Sequence, residues 1–122
     1  MRVLKFRAWH KKEKYMQEVD GYYLYLASGR IYESTTKDWH GMELNDVTDQ
    51  YELMQFTGLL DKNGKDIYEG DIVTGLDAFR ELKTAEVIYD DGGFYPLHEG
   101  EFYWKDIEVI GNIFDNPELL KD

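Results

Sequence analysis

Residues 53–73, LMQFTGLLDKNGKDIYEGDIV, decide how the chain is read. Tyr51, Leu53, Met54 and Phe56 make a β-compatible apolar run, Asp61-Lys62-Asn63-Gly64 interrupts it, and Ile67 and Tyr68 resume it. Asn-Gly supplies the positive φ values that tight hairpin turns need, so the two runs read as the arms of a hairpin. Glu69-Gly70-Asp71 breaks the pattern again before Ile72 and Val73. A chain that reverses or bends twice within so short a span reads as the compact corner of a small barrel or sandwich. Backbone demands account for its Gly, Asn and Asp residues without any ligand role.

Upstream, residues 2–9 alternate, with Leu4, Phe6 and Ala8 on one face and Val3, Lys5, Arg7 and Trp9 on the other, as a half-buried strand does. A charged loop over residues 10–14 leads to a second strand over 15–19, and further strands over 22–27 and 30–33 flank Ser28-Gly29. The first third is therefore expected to be a β-meander. Residues 34–50 are polar around an isolated Trp39-His40 and a lone Met42, and read as a loop holding one short helical turn.

Downstream, residues 75–83 carry no clear pattern, whereas 84–89 read as strand before the turn Asp90-Asp91-Gly92-Gly93. Phe94 and Tyr95 begin the return, which Pro96 keeps from being a central strand because it lacks a ladder donor. Phe102-Tyr103-Trp104 is a dense aromatic cluster, core or interface anchor. Residues 107–114 form the last expected strand, with Ile107, Val109, Gly111 and Ile113 on one face. Asn116-Pro117-Glu118 then has the chemistry of a helix start, since Asn caps, Pro suits the first helical position and Glu meets the positive end of the dipole. One or two helical turns are expected to follow.

At 122 residues the chain is expected to be one mainly β domain, large enough to bury a core. Hydrophobic residues at 43% and aromatics at 16%, ten of them Tyr, favour pleated surfaces over disorder. The absence of Cys excludes disulfides, thiolate metal sites and cysteine nucleophiles, and permits a cytoplasmic location as the expected compartment. No apolar run approaches the length of a membrane span, and no signal peptide is visible behind Met1.

The net charge of −11 argues against general affinity for nucleic acid. It is unevenly spread: residues 1–14 hold six Lys or Arg against Glu13 alone, a surplus of +5, while residues 15–122 hold eight against 24 acids, or −16. Such a basic arm could pair within its own chain or with the acidic body of a second copy.

No catalytic constellation emerges. His10, His40 and His98 are scattered through expected loops without metal-ligand spacing. Asp61-x-Asn63 faintly resembles the start of a calcium loop, but glycine falls at the fourth position and no bidentate Glu closes twelve residues. Asp66, Glu69, Asp71, Asp90 and Asp91 are acids in a chain so rich in acids that proximity alone says nothing of acid–base work. Phosphate loops, nucleophile elbows and Lys-rich aromatic stripes are missing. The expectation is a protein that is not an enzyme and takes no cofactor and no metal.

Three blocks carry a family resemblance. They are Leu4-Lys5-Phe6-Arg7-Ala8-Trp9, the central Met54-Gln55-Phe56-Thr57-Gly58-Leu59 continuing through Asp61-Lys62-Asn63-Gly64-Lys65 to Ile67-Tyr68-Glu69-Gly70-Asp71-Ile72-Val73, and Val109-Ile110-Gly111-Asn112-Ile113-Phe114 with Asn116-Pro117-Glu118-Leu119. With these blocks spread from end to end, the chain resembles the YopX family. The resemblance implies a mostly β fold with a small SH3-like barrel in the C-terminal part, and a bacteriophage or prophage origin. It implies no established activity.

The leading functional expectation is an acidic interaction protein that binds a second copy of itself or a host or phage protein. Arg7, Trp9, Lys11, Lys12, Trp39 and Trp104 are its candidate contact residues. One alternative is a DNA mimic whose carboxylates occupy a nucleic-acid-binding host protein, and the weakest is direct nucleic-acid binding through the basic arm.

Overall fold

A computed structural model describes residues 5–18, 23–25, 30–34, 44–90, 93–97 and 104–121. Trp39, His40, Met42, Asp91, His98, Phe102 and Tyr103 lie outside the described residues, so the expectations resting on them are not addressed. The chain is mainly β, and the described residues divide between two compact units, residues 5–53 and the part from 54 onward.

In the first unit, β1 (Phe6–His10) and β2 (Tyr15–Glu18) form an antiparallel hairpin that sets Arg7 opposite Glu18 and Trp9 opposite Met16. A sheet in the order β3 (Tyr23–Tyr25), β4 (Arg30–Ser34), β5 (Leu44–Asp46) completes the meander. β5 corrects the loop expected over 34–50: its polar residues hide the strand, which is held by pairing Tyr32 with Asp46 and Glu33 with Asn45. The helical turn expected in that stretch is a 3₁₀ turn, Thr48–Gln50. Ala8, Ile31, Val47 and Tyr51 are buried together with Leu53 packed against them.

Asp46 fastens this corner. Its Oδ1 accepts from the Thr48 hydroxyl at 2.6 Å and the Thr48 N–H at 3.0 Å, and its Oδ2 accepts from Arg30 Nε at 2.7 Å. Those bonds, Thr48 first and then Arg30, pull the carboxyl down to about 2. Thr48 in turn receives the Ile31 N–H on its Oγ1 at 2.8 Å, so the turn is tied to the start of β4.

The second unit carries the quoted hairpin. β6 (Tyr51–Leu60) enters it, and Phe56 pairs with Tyr68 and Leu60 with Asp66 of β7 (Asp66–Tyr68), with a register shift between. β8 (Asp71–Leu76) lies between β9 (Leu82–Glu86) and β12 (Lys105–Asn112). β10 (Ile88–Asp90) and β11 (Gly93–Tyr95) pair antiparallel as a separate sheet, with Asp90 opposite Gly93. Ile67, Val73, Val87 and Phe94 are buried together, with Leu97, Trp104, Ile107 and Val109 against them. Two sheets and the β7 arm thus share one core, as a small barrel or sandwich requires.

Three expectations shift. The strand over 84–89 is two strands, parted at Val87, whose N–H bonds Asp71 O at 2.8 Å. The last strand runs Lys105–Asn112 with register shifts between Lys105 and Glu108 and between Val109 and Gly111, so a single alternating face over 107–113 is not kept. The short C-terminal helix is only a 3₁₀ turn, Pro117–Leu120, with Pro at its start as expected. Asn116 does not cap it with its side chain; instead its Oδ1 accepts the Asn112 N–H at 3.3 Å. That folding back explains Gly111, where a Cβ would stand 2.6 Å from Asn116 Oδ1. Among the described residues no helix is long and apolar enough to cross a membrane.

Candidate interaction surface

Two turns of the second unit share one design. In the first, the Asp61 N–H bonds Lys65 O at 2.8 Å and the Gly64 N–H bonds Asp61 O at 3.0 Å. Asp61 Oδ1 accepts the N–H groups of Asn63 and Lys65 at 2.8 and 2.9 Å. Gly64, at φ +82°, takes the left-handed position; Asn63 does not, so the Asn-Gly pair serves through its glycine alone. Asp61 Oδ2 reaches across the unit to the Val109 N–H at 3.0 Å, and the Lys62 N–H bonds Ile107 O at 2.8 Å. Burial acts to raise the Asp61 pKa, but the N–H groups of Val109, Lys65 and Asn63 outweigh it and leave the carboxyl below its ordinary value. The faint calcium-loop resemblance thus has a structural explanation, an aspartate committed to backbone donors.

The second turn joins β8 to β9, in the stretch whose sequence carried no clear pattern. The Asp77 N–H bonds Glu81 O and the Arg80 N–H bonds Asp77 O, both at 3.0 Å. Asp77 Oδ1 accepts from the N–H groups of Phe79 and Glu81 at 2.8 and 2.9 Å. Residue for residue this repeats the Asp61 turn, except that Arg80, at φ +61°, stands where Gly64 stands. The readable sign was an aspartate five residues ahead of a strand start, as at Asp61; the missing glycine concealed it.

A non-glycine residue in the left-handed region costs about 1–2 kcal/mol. Arg80→Gly is accordingly expected to stabilise the protein by about 0.5–1 kcal/mol after glycine's own entropic cost, seen as a raised urea midpoint with unchanged slope.

This turn ends in exposed apolar side chains. Phe79 is 81% exposed and Leu82, the first residue of β9, is 70% exposed. β9 also borders its sheet, since the order is β12-β8-β9. Val87 and Asp77 bond across to Asp71 and Glu81, and register pairs Val73 with Ala85 and Gly75 with Lys83. Odd-numbered residues of β9 therefore bond inward to β8, and the N–H and C=O of Leu82, Thr84 and Glu86 point to the side where no described strand pairs, with the Pro117–Leu120 turn lying near this strand. Lys83 Nζ lies 3.2 Å from Glu81 Oε2, both side chains largely exposed.

The residues singled out by sequence fall elsewhere. Arg7, Trp9, Lys11 and Lys12 all belong to the β1–β2 hairpin. Trp9 is buried, Arg7 half-buried, and Lys11 and Lys12 exposed, with Lys11 Nζ 3.5 Å from Glu52 of the same unit. Trp104 is half-buried against the second core and meets Tyr95 edge-on at 6.2 Å. Trp9 is thus packed within the first unit and Trp104 against the core of the second.

His10 corrects the picture of a loop imidazole. It closes β1, stacks on Tyr15 at 5.1 Å, meets Tyr51 edge-on at 4.9 Å, and accepts the Glu13 N–H on Nδ1 at 2.9 Å. Among the described residues no three His, Asp or Glu side chains gather as a metal site would need.

Solved structures with this fold include protein EF1440 from Enterococcus faecalis, 28% identical, with a TM-score of 0.64 over 99% of this chain and 100% of that one. Protein yopX from Bacillus subtilis is 24% identical, with a TM-score of 0.61 and the same coverage, 99% and 100%. Curated proteins give no match. The family described as YopX protein matches residues 5–121, the three sequence blocks sit in the strands and turns just described, and the chain belongs to that family.

Proposed function

We propose that the chain is a phage- or prophage-encoded interaction protein of the bacterial cytoplasm that works by protein contact and not by catalysis. The observation that carries this reading is the Phe79–Leu82 corner: two large apolar side chains, 81% and 70% exposed, held on a hydrogen-bonded turn beside a strand that ends its sheet among the described residues. Exposed aromatics beside arginine are the residue types that dominate binding energy, and an unpaired edge offers backbone donors and acceptors to a partner. Arg80 keeps its unfavourable φ at the same place, as residues held for contact do.

The test is affinity capture from a bacterial lysate with tagged wild-type protein, Phe79→Ser and, as control, Leu59→Ser, with and without nuclease. Leu59 is exposed away from this turn, in β6. Capture that survives nuclease and Leu59→Ser but falls about tenfold or more with Phe79→Ser is expected. Capture indifferent to Phe79 would overturn the assignment of the site. Nucleic-acid-binding prey held regardless of Phe79 would instead favour mimicry by the acidic surface, and recovery abolished by nuclease would favour direct nucleic-acid binding.

A further inference from the structure

Among the registers centred on Leu82, Lys83 and Thr84 the β9 edge is self-complementary in one, and this rests on the interaction-protein reading while naming the partner. We infer that two copies of the chain pair through antiparallel β9 strands about a two-fold axis at Leu82. The outward-facing backbone groups are those of Leu82, Thr84 and Glu86, so hydrogen-bonded pairs between copies must join even-numbered residues. Three registers can be compared. A two-fold at Thr84 sets Leu82 against Glu86 and Lys83 against Ala85, which buries a leucine against a carboxylate. A two-fold at Lys83 sets the two lysines directly opposite each other, which is destabilising.

The two-fold at Leu82 differs from both. Each Leu82 faces its counterpart, and each Lys83 faces Glu81 of the other copy on both sides of the axis. Those flanking pairs are of the closely spaced kind, with Cα atoms about 4.5 Å apart. The ion pair already present between Lys83 and Glu81 at 3.2 Å then becomes half of a four-charge ring. Leu82, 70% exposed in the single chain, is covered, which is the gain that a solvated leucine at a strand start otherwise lacks. The ladder stops at Arg80, whose φ of +61° leaves the extended region, so the contact is short and assembly depends on concentration.

Charge exchange tests this without disturbing the core, because Glu81 and Lys83 are exposed. Sedimentation velocity would be run from micromolar to near-millimolar protein at low and high salt. The wild type is expected to self-associate, with salt screening both the Lys83–Glu81 pairs across the axis and the repulsion between two chains of net charge −11. Glu81→Lys alone or Lys83→Glu alone places like charges across the axis twice and is expected to weaken assembly about tenfold. An equal mixture of the two single variants, and the double exchange Glu81→Lys with Lys83→Glu, are each expected to recover it.

Assembly unchanged in the single variants, or weakened without recovery in the mixture and the double exchange, would overturn the pairing. So would a wild type that stays monomeric throughout. If that monomer still captures lysate protein through Phe79, the interaction reading stands and its partner is a foreign chain; if it captures nothing, both fall.

Discussion

Replacing Asp61 with alanine is expected to destabilise the protein by about 2–4 kcal/mol, because donors left without acceptors cost about 1–3 kcal/mol each when buried and less where, as at Asn63 and Lys65, water reaches them. Three backbone N–H groups, those of Asn63, Lys65 and Val109, lose their acceptor at once. The residue is 7% exposed, so water replaces the carboxylate poorly. Asp61→Asn keeps an oxygen for the turn and is expected to cost about half as much, by loss of the charge-assisted bonds. Urea unfolding at neutral pH measures both.

The same aspartate gives a signed pH dependence. Its folded pKa lies below the ordinary carboxyl value, so its contribution is complete above the unfolded pKa of about 3.9 and fades as pH falls through the folded value. Wild-type stability is therefore expected to fall more steeply than that of Asp61→Asn on acidification below about pH 4. Parallel curves for the two proteins would show that Asp61 is not the group responsible.

Ile67→Ala is expected to cost about 3–4 kcal/mol, the range for truncating a buried isoleucine whose surroundings cannot collapse. Ile67 is 1% exposed on the middle of β7, enclosed by Val73, Val87 and Phe94. Ile67→Val removes one methylene and is expected to cost about 1 kcal/mol. Ile88, 40% exposed at the start of β10, is the internal contrast, where alanine is expected to change stability by about 0.5 kcal/mol or less. Equal losses at positions 67 and 88 would contradict the placement of the core.

Sequence exposes those parts of this fold whose local chemistry has one solution. Gly64 marks the hairpin because a left-handed residue is required there, and Pro117 marks a helical start because its fixed φ suits one. It hides parts where distant partners decide. β5 is polar and becomes a strand only by lying along β4. Asn116 looks like a cap, yet close packing on Gly111 turns its side chain toward Asn112. Trp9 and Trp104 are conspicuous because they are large, but size favours burial, and both pack. Phe79 gave no such signal. Its exposure follows from an Asp77 turn that lacks the glycine by which such turns are usually read.

The two matching turns differ in where their aspartates end. Asp61 spends its second oxygen on Val109 of β12, so any change there is felt by the sheet. Asp77 engages its own turn through Oδ1, with no comparable bond to another strand among the described residues. Residues 78 and 79 are thus replaceable as long as Asp77 and the ends of β8 and β9 persist, whereas residue 80 must tolerate a φ of +61°. The exposed surface of this turn can accordingly change quickly, while Asp61 and the residues it anchors stay under the slower constraint of folding.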